Sequence, residues 1–291
     1  MQFIQQLING IHVGSIYALI ALGYTMVYGI VKLINFAHGD IMMLGAYVGF
    51  FAIGLWGLPF PLALLVSMVF CAFLGVVIER IAYKPLRNAP RISALITAIG
   101  MSLLLENIAL VLFGPDPRKM PPVISKEAIN LGGVQISYLT IVTLVLAVGF
   151  MILLELFIKK TRTGKAMRAV SQDKAASTLM GIDVNRIISV TFAIGSALGA
   201  LGGVLYAVAY PQIEPYMGMM PGLKAFVAAV LGGIGSIPGA MIGGFIMGIV
   251  ESLTKGYISS QWSDAVVFGI LILVLLVKPS GLLGKNTREK V

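Results

Sequence analysis

Charge is what this 291-residue sequence has least of: 11% of its residues are Asp, Glu, Lys or Arg, where a water-soluble domain carries roughly a quarter. So little charge cannot clothe a folded surface in water, which excludes an ordinary soluble protein. The single cysteine, Cys71, excludes an internal disulfide and a cysteine metal cluster. It lies in an apolar run and reads as a small buried apolar residue. Only two histidines, His12 and His38, are present, and no His-Glu-x-x-His occurs, so zinc hydrolysis is disfavoured. No Gly-x-x-x-x-Gly-Lys-Ser/Thr loop is there to cradle a nucleotide phosphate. Ser236 is preceded two places back by Ile234, which breaks Gly-x-Ser-x-Gly, and Ala37-His38-Gly39-Asp40 lacks the first glycine of the Gly-x-Gly-Asp pattern of intramembrane aspartyl proteases. Enzymatic chemistry is not expected, nor a catalytic residue, a bound metal or a cofactor. Any energy from ATP must come from another chain.

What is abundant is apolar surface: 58% of residues are hydrophobic and the mean hydropathy is +0.96. A membrane-spanning helix needs about 20 mainly apolar residues. Apolar runs and their polar interruptions place spans near 4–31, 34–55, 59–82, 92–113, 138–158, 187–210, 222–235, 239–254 and 264–278. The expectation is an all-α polytopic transmembrane bundle of about eight or nine spans, two of them short, forming one domain over 1–291. The first run is too long and too poor in leading basic residues for a signal peptide, so it is expected to remain in the mature chain. Sixteen of the 21 Lys and Arg residues fall on one face, in the segments 80–91, 159–186 and 278–290 and at Lys32. By the positive-inside rule that face is cytoplasmic, with the carboxyl terminus on it and the amino terminus outside. The net charge of +9 is thereby read as a topology signal and not as affinity for nucleic acid. The loop 114–137, with Pro115, Pro117, Pro121 and Pro122, is expected to be turn-rich and external.

Glycine, with 34 copies, recurs at four-residue spacing in Gly10/Gly14, Gly45/Gly49, Gly195/Gly199/Gly203 and Gly235/Gly239/Gly243. That spacing puts small residues on one helix face, where backbones approach closely in lipid. Polar residues are scarcer. Asn35, His38 and Asp40 open a span: Asn35 suits an N-cap and Asp40 the positive end of a helix, while a broken helix bordering a pathway is the alternative. The glycine- and proline-rich stretch around Gly235, Ser236, Pro238 and Gly239 predicts a turn or unwound segment facing the bundle interior. Glu106 lies inside a span, whereas Glu79 reads as an interfacial partner of Arg80 and Lys224 as a side chain snorkelling outward.

The polar loop 159–186 carries helix signals. Asp173 suits an N-cap for a helix over 174–180, with Gly181 as its left-handed stop, and Gly164, Lys165 and Arg168 belong to a preceding short helix with Met167 and Val170. Such a pair makes either a docking surface or a connector lying on anionic lipid.

Three blocks together, Gly14 to Ile30 (GSIYALIALGYTMVYGI), Ile34 to Gly39 (INFAHG) and Lys224 to Ala240 (KAFVAAVLGGIGSIPGA), resemble the bacterial branched-chain amino acid permease family of ABC importers, with similarity across nearly the whole chain. The chain is most similar to the shorter of that family's two permease subunits. The resemblance implies a multi-pass protein of the bacterial inner membrane that works by alternating access. Its implied partners are a second permease subunit, two cytoplasmic ATP-binding subunits and an extracytoplasmic protein that binds leucine, isoleucine or valine. It gives 159–186 the role of ATPase coupling loop, with Ala175, Ala176 and Gly181 standing where importers carry Glu-Ala-Ala and then glycine. Here Lys174 replaces the acid and the glycine comes one place later. Asn35, His38, Asp40, Glu106 and the 235–239 turn are then pathway or gate candidates. Urea, short amides or other neutral amino acids are alternative substrates within the family. A self-sufficient secondary carrier or channel, with Asp40 and Glu106 as its ion sites, is the alternative of a different class.

Overall fold

The computed structural model describes residues 1–87, 89–124, 128–131 and 133–284. Lys126 and the basic residues at 285, 288 and 290, which contribute to the charge asymmetry, lie outside them. Among the described residues nine apolar helices follow one another: α1 (Gln2–Val31), α2 (His38–Gly54), α3 (Phe60–Ile78), α4 (Arg91–Phe113), α5 (Tyr138–Lys160), α8 (Val184–Ala209), α9 (Met219–Gly232), α10 (Ile237–Tyr257) and α11 (Ser263–Val277). Two short polar helices, α6 (Arg162–Gln172) and α7 (Lys174–Leu179), fill the loop between α5 and α8. Six of the apolar helices are long enough to cross a membrane, while α2, α9 and α11 are shorter. The nine coincide with the nine apolar runs of the sequence, with ends displaced by a few residues.

Local chemistry sets the boundaries. Ser137, Thr161, Asp173, Asp183 and Ser236 each accept a bond from the backbone N–H three residues on, capping α5, α6, α7, α8 and α10. Pro59 and Pro61 bracket the start of α3, where a missing N–H leaves no intrahelical bond unmade. Helix α1 stops at Lys32, whose left-handed backbone (φ 62°) returns its N–H to the Tyr28 carbonyl. A non-glycine residue there costs about 1–2 kcal/mol, which the surrounding packing must offset. The loop 114–137 is not merely turn-rich. It holds an antiparallel hairpin, β1 (Ala128–Leu131) and β2 (Val134–Ser137), paired from Ala128↔Ser137 to Leu131↔Val134. Gly133 supplies the positive φ (92°) of its turn, and a hairpin this short is hard to separate from loop by pattern alone.

Helix α1 is the axis of the bundle. Residues Ile16 to Leu22 are almost wholly buried, and α1 packs on α10, α8, α5 and α9. Glycine makes those crossings possible. A Cβ on Gly10 or Gly14 would collide with the backbone of Ile249 or Phe245 of α10, and one on Gly248 with the backbone of Gly10 and Gly14. Gly45 faces Ala200, Gly195 faces Gly23, Gly203 faces Met42 and Gly243 faces Ala228. The four-residue glycine spacing therefore marks helix crossings, except at Gly235, which lies in the turn before α10 and on no helix face. The outward sides of α3, α4 and α5 present Val69, Phe73, Leu103, Val111, Val145 and Leu153 uncovered, the belt expected where hydrocarbon and not water is the solvent.

Substituting Gly248→Val should destroy the α1–α10 crossing and with it the yield of folded protein after detergent extraction. Gly149→Ala, which meets nothing within 4 Å, should leave yield and melting temperature unchanged. Equal yields from the two variants would remove the crossing from its structural role.

Candidate functional site

Between Lys32 and Ala37 the chain has no regular structure, and it then re-enters the bundle to start α2 beside the middle of α1. His38, wholly buried, bonds through Nε2 to the Ile20 carbonyl (3.2 Å). Its ring sits edge-on to Tyr24 at 4.4 Å and fills the space left by the absent side chains of Gly23 and Gly199. Asn35 is not the N-cap of α2. Ala37 occupies that position without a side-chain bond, and Asn35 instead accepts from the Tyr83 hydroxyl (2.8 Å), its Nδ2 having no protein partner. The reason is reach: the turn places Asn35 outside the first helical turn and against Tyr83, in the π-helical turn that follows α3. Asp40 is in the first turn of α2, as expected, and accepts from the Ser102 hydroxyl of α4. Glu106, one turn beyond Ser102, is buried alongside it. The four polar candidates thus share one region, divided between the α1–α8 side and the α4 side of α2.

The second candidate element is a tight turn joining α9 to α10. Gly233 and Gly235 have φ of 104° and 93°, a region closed to most L-residues. Ser236 caps α10 through Gly239 N (3.2 Å), Pro238 stands in its first turn, and Gly232 and Gly239 touch backbone to backbone. The Gly235 N–H donates to Thr25 of α1 (3.0 Å). Leu282 and Leu283 pair with the Leu231 and Gly232 carbonyls, both at 2.9 Å. The turn and the re-entrant segment meet at the same place: Ile34, Asn35 and Ile234, with Tyr24, Tyr28 and Phe226, line a gap of about 10 Å³.

In the third element Asp173 Oδ1 accepts from Ala176 N (2.9 Å), capping the helix that carries Ala175 and Ala176, and Gly181 follows at φ 79°. Gly164 lies so close to the backbone of Phe157 and Ile158 that no side chain fits. This anchors α6 to the end of α5, while Met167 and Val170 are buried beneath it. Lys165 and Arg168 stay on the outer side, Arg168 reaching the Lys159 carbonyl (3.4 Å). Lys174 donates to the Val31 carbonyl (3.4 Å), tying α7 to the end of α1. Leu179 and Met180 are 88% and 82% exposed, two apolar side chains uncovered at the end of a polar helix pair. Sequence reasoning passed over them because nothing in a short apolar pair tells which way it points.

Two charged clusters depart from expectation. Glu79 does not pair with Arg80, which is exposed. A π-helical turn over Glu79–Tyr83 rotates Glu79 inward, where it bonds Arg87 and the Ser189 hydroxyl (2.7 Å), and Arg87 also reaches Asn185. Lys224 does not snorkel. It is buried between Glu251 (2.9 Å) and Asp264 (2.7 Å), and Glu251 is completed by Lys255 (2.6 Å) and Tyr17 (2.8 Å). The partners come from α1, α9, α10 and α11, so no local spacing announces the cluster. Beside it a cavity of about 280 Å³ is lined by Gln6, Asn9, His12, Glu251 and Lys255.

Residues 6–275 match the family model described as branched-chain amino acid transport system / permease component. The chain is 45% identical to the high-affinity branched-chain amino acid transport system permease protein BraD of Pseudomonas aeruginosa, covering 99% of this chain and 98% of that one. It is also 45% identical to the corresponding permease LivH of Escherichia coli, covering 100% and 98%. Among solved structures PsaBC of Streptococcus pneumoniae, determined in complex with Fab, has a similar fold, with a TM-score of 0.50 at 14% identity over 95% of this chain and 91% of that one.

Without Lys224, Glu251 keeps Lys255 and Tyr17 but loses its buried cation, and stripping a partner from a buried charge costs up to about 3–5 kcal/mol. Lys224→Met should therefore lower the melting temperature of the detergent-solubilised protein sharply, and the double variant Lys224→Met/Glu251→Leu should recover part of the loss. No recovery in the double variant would mean that the two side chains act independently.

Proposed function

The chain belongs to the branched-chain amino acid transport permease family, and we propose that it is the membrane subunit through which an ATP-driven importer passes leucine, isoleucine and valine into a bacterial cell. It is a permease and not an enzyme. Without a nucleotide-binding loop of its own, it must be driven by neighbours, and the observation that carries this reading is the exposed Leu179–Met180 pair on α7. Apolar surface left open among polar residues favours a protein partner. We assign that partner as one of two cytoplasmic ATP-binding subunits, docked on α6 and α7 through Gly164, Lys165, Arg168, Asp173, Ala175, Ala176 and Gly181.

The reading takes all of 1–291 as one permease domain with nine crossings, the amino terminus outside and the α6–α7 loop in the cytoplasm of the inner membrane. Sixteen basic residues on one side support this orientation. A push on α7 has a direct route inward: Lys174 holds the Val31 carbonyl, α1 continues into the re-entrant segment at Asn35, and Thr25 holds the Gly235 turn. Asn35, His38 and Asp40 with Glu106, together with Gly235, Ser236, Pro238 and Gly239, then act as the gate, and the nearly closed gap at Asn35 is its shut form. The core of the single bundle is filled by glycine-mediated crossings around His38. That filling supports a conduit between this chain and a second, related permease, with an extracytoplasmic binding protein delivering the amino acid on the outer face. A zwitterion with an apolar side chain needs no strong fixed charge along that route. A self-sufficient carrier would draw on Asp40 and Glu106, but the Ser102 hydroxyl already bonds Asp40.

In proteoliposomes holding the assembled importer, uptake of radiolabelled leucine should require both ATP and the binding protein. Uptake indifferent to both would favour the carrier. Leu179→Asp or Met180→Asp, and independently Gly181→Pro, should leave membrane insertion intact while reducing co-purification of the ATPase and ATP-dependent uptake by an order of magnitude or so. Full association in all three variants would remove α7 from the docking surface.

A further inference from the structure

Between α5 on one side and α3 with α8 on the other runs a groove of about 690 Å³. Its walls are Met68, Phe150, Leu153, Phe157 and Ile194, and at one end it stops at Lys160 and Thr161. Leu154 and Leu198 are buried at its base, whereas Leu153 and Leu156 stand exposed along the opening. The groove thus opens sideways from helices whose outer faces belong to the hydrocarbon belt. Its polar end is strongly basic: residues 159–172 contain Lys159, Lys160, Arg162, Lys165 and Arg168 and no acid. Glu155 takes up Lys159 (2.6 Å), and among the described residues Lys160 forms no ion pair.

We propose that this groove is a site for one anionic phospholipid of the cytoplasmic leaflet, with an acyl chain along α5 and the phosphate of the headgroup on Lys160. An apolar trench ending in an unneutralised cation at the depth of the headgroups matches the two halves of such a molecule. The site abuts the coupling loop. Thr161, at the groove's end, caps α6 through Gly164 N (2.9 Å), and Gly164 is wedged on Phe157 and Ile158. A lipid seated there would brace the junction on which α6 pivots. The inference rests on the orientation proposed above, which puts Lys160 at the inner face.

The test is native mass spectrometry of the assembled importer released from nanodiscs of mixed phosphatidylglycerol and phosphatidylcholine. The wild type should retain phosphatidylglycerol over phosphatidylcholine by about fivefold. Lys160→Gln should abolish that preference, and Leu153→Trp, at an exposed position on the rim, should reduce retention of both lipids. Equal retention of the two lipids by the wild type would overturn the proposal, as would a preference that survives Lys160→Gln or full retention of both lipids by Leu153→Trp. A crosslink from Ala197→Cys to the second permease would overturn it too, by placing a protein in the groove. A separate probe isolates the orientation: labelling of Lys160→Cys by an impermeant thiol reagent from outside the cell would sink the topology, whereas an unlabelled Lys160→Cys together with equal retention of the two lipids by the wild type would sink only this site.

Discussion

Backbone-to-backbone contact between helices is the constraint on which everything else in this molecule depends. Lipid tails are as apolar as leucine, so helices inside a bilayer gain little by hiding side chains from their surroundings and associate through close packing and polar contacts. Helix α1 meets α10 at Gly10, Gly14, Gly244 and Gly248, where any side chain would strike main-chain atoms. The same closeness lets α8 approach α1 and α2 and leaves, between Gly23 and Gly199, a space that the His38 ring fills. An imidazole buried in that way is held by geometry as much as by its bond to the Ile20 carbonyl.

Charge is handled by the same economy of space. Few ionisable groups enter the bundle, and those that do are completed by polar partners, most of them from other elements: Glu79 by Arg87 and Ser189, Lys224 by Glu251 and Asp264, Glu251 by Tyr17 and by Lys255 one turn on. A charge buried without such partners would carry a desolvation penalty of several kcal/mol. These clusters tie together elements far apart in sequence, and they do so near opposite ends of the bundle. Between them the interior is largely apolar and glycine-lined, with His38 and Asp40 held by the Ile20 carbonyl and the Ser102 hydroxyl. The α6–α7 loop fits this division. It is soldered to the bundle by Gly164 and by the Lys174–Val31 bond, yet it turns Leu179 and Met180 outward.

Much of this was legible in the residues. Nine apolar runs became nine apolar helices because hydrophobic length is a property of consecutive residues. The cap at Asp173 and the left-handed glycine at 181 are equally local. What was misread shares one feature, dependence on direction. Asn35 was suited to capping by residue type, but the turn carried it to Tyr83. Glu79 was paired with its neighbour Arg80 until a π-helical turn sent the two to different sides. Lys224 stands two residues into the apolar stretch and was given to the interface, because Glu251 and Asp264 lie 27 and 40 positions further along. The hairpin at 128–137 escaped notice for a different reason, since four-residue strands carry too little alternation to be distinguished from loop.

By itself, then, the sequence determined that this protein lives in a membrane, roughly where its apolar helices lie and to which family it belongs. Each of these is written in composition, in runs of neighbouring residues or in motifs. Only the tertiary structure decided which glycines meet, which charges neutralise one another, that Asn35 and the Gly235 turn close on a single gap, and that Leu179 and Met180 point away from the bundle. Those facts depend on the rotation and crossing of whole helices, and in lipid such arrangements are set by shape complementarity between distant segments, for which a linear chain has no local signal.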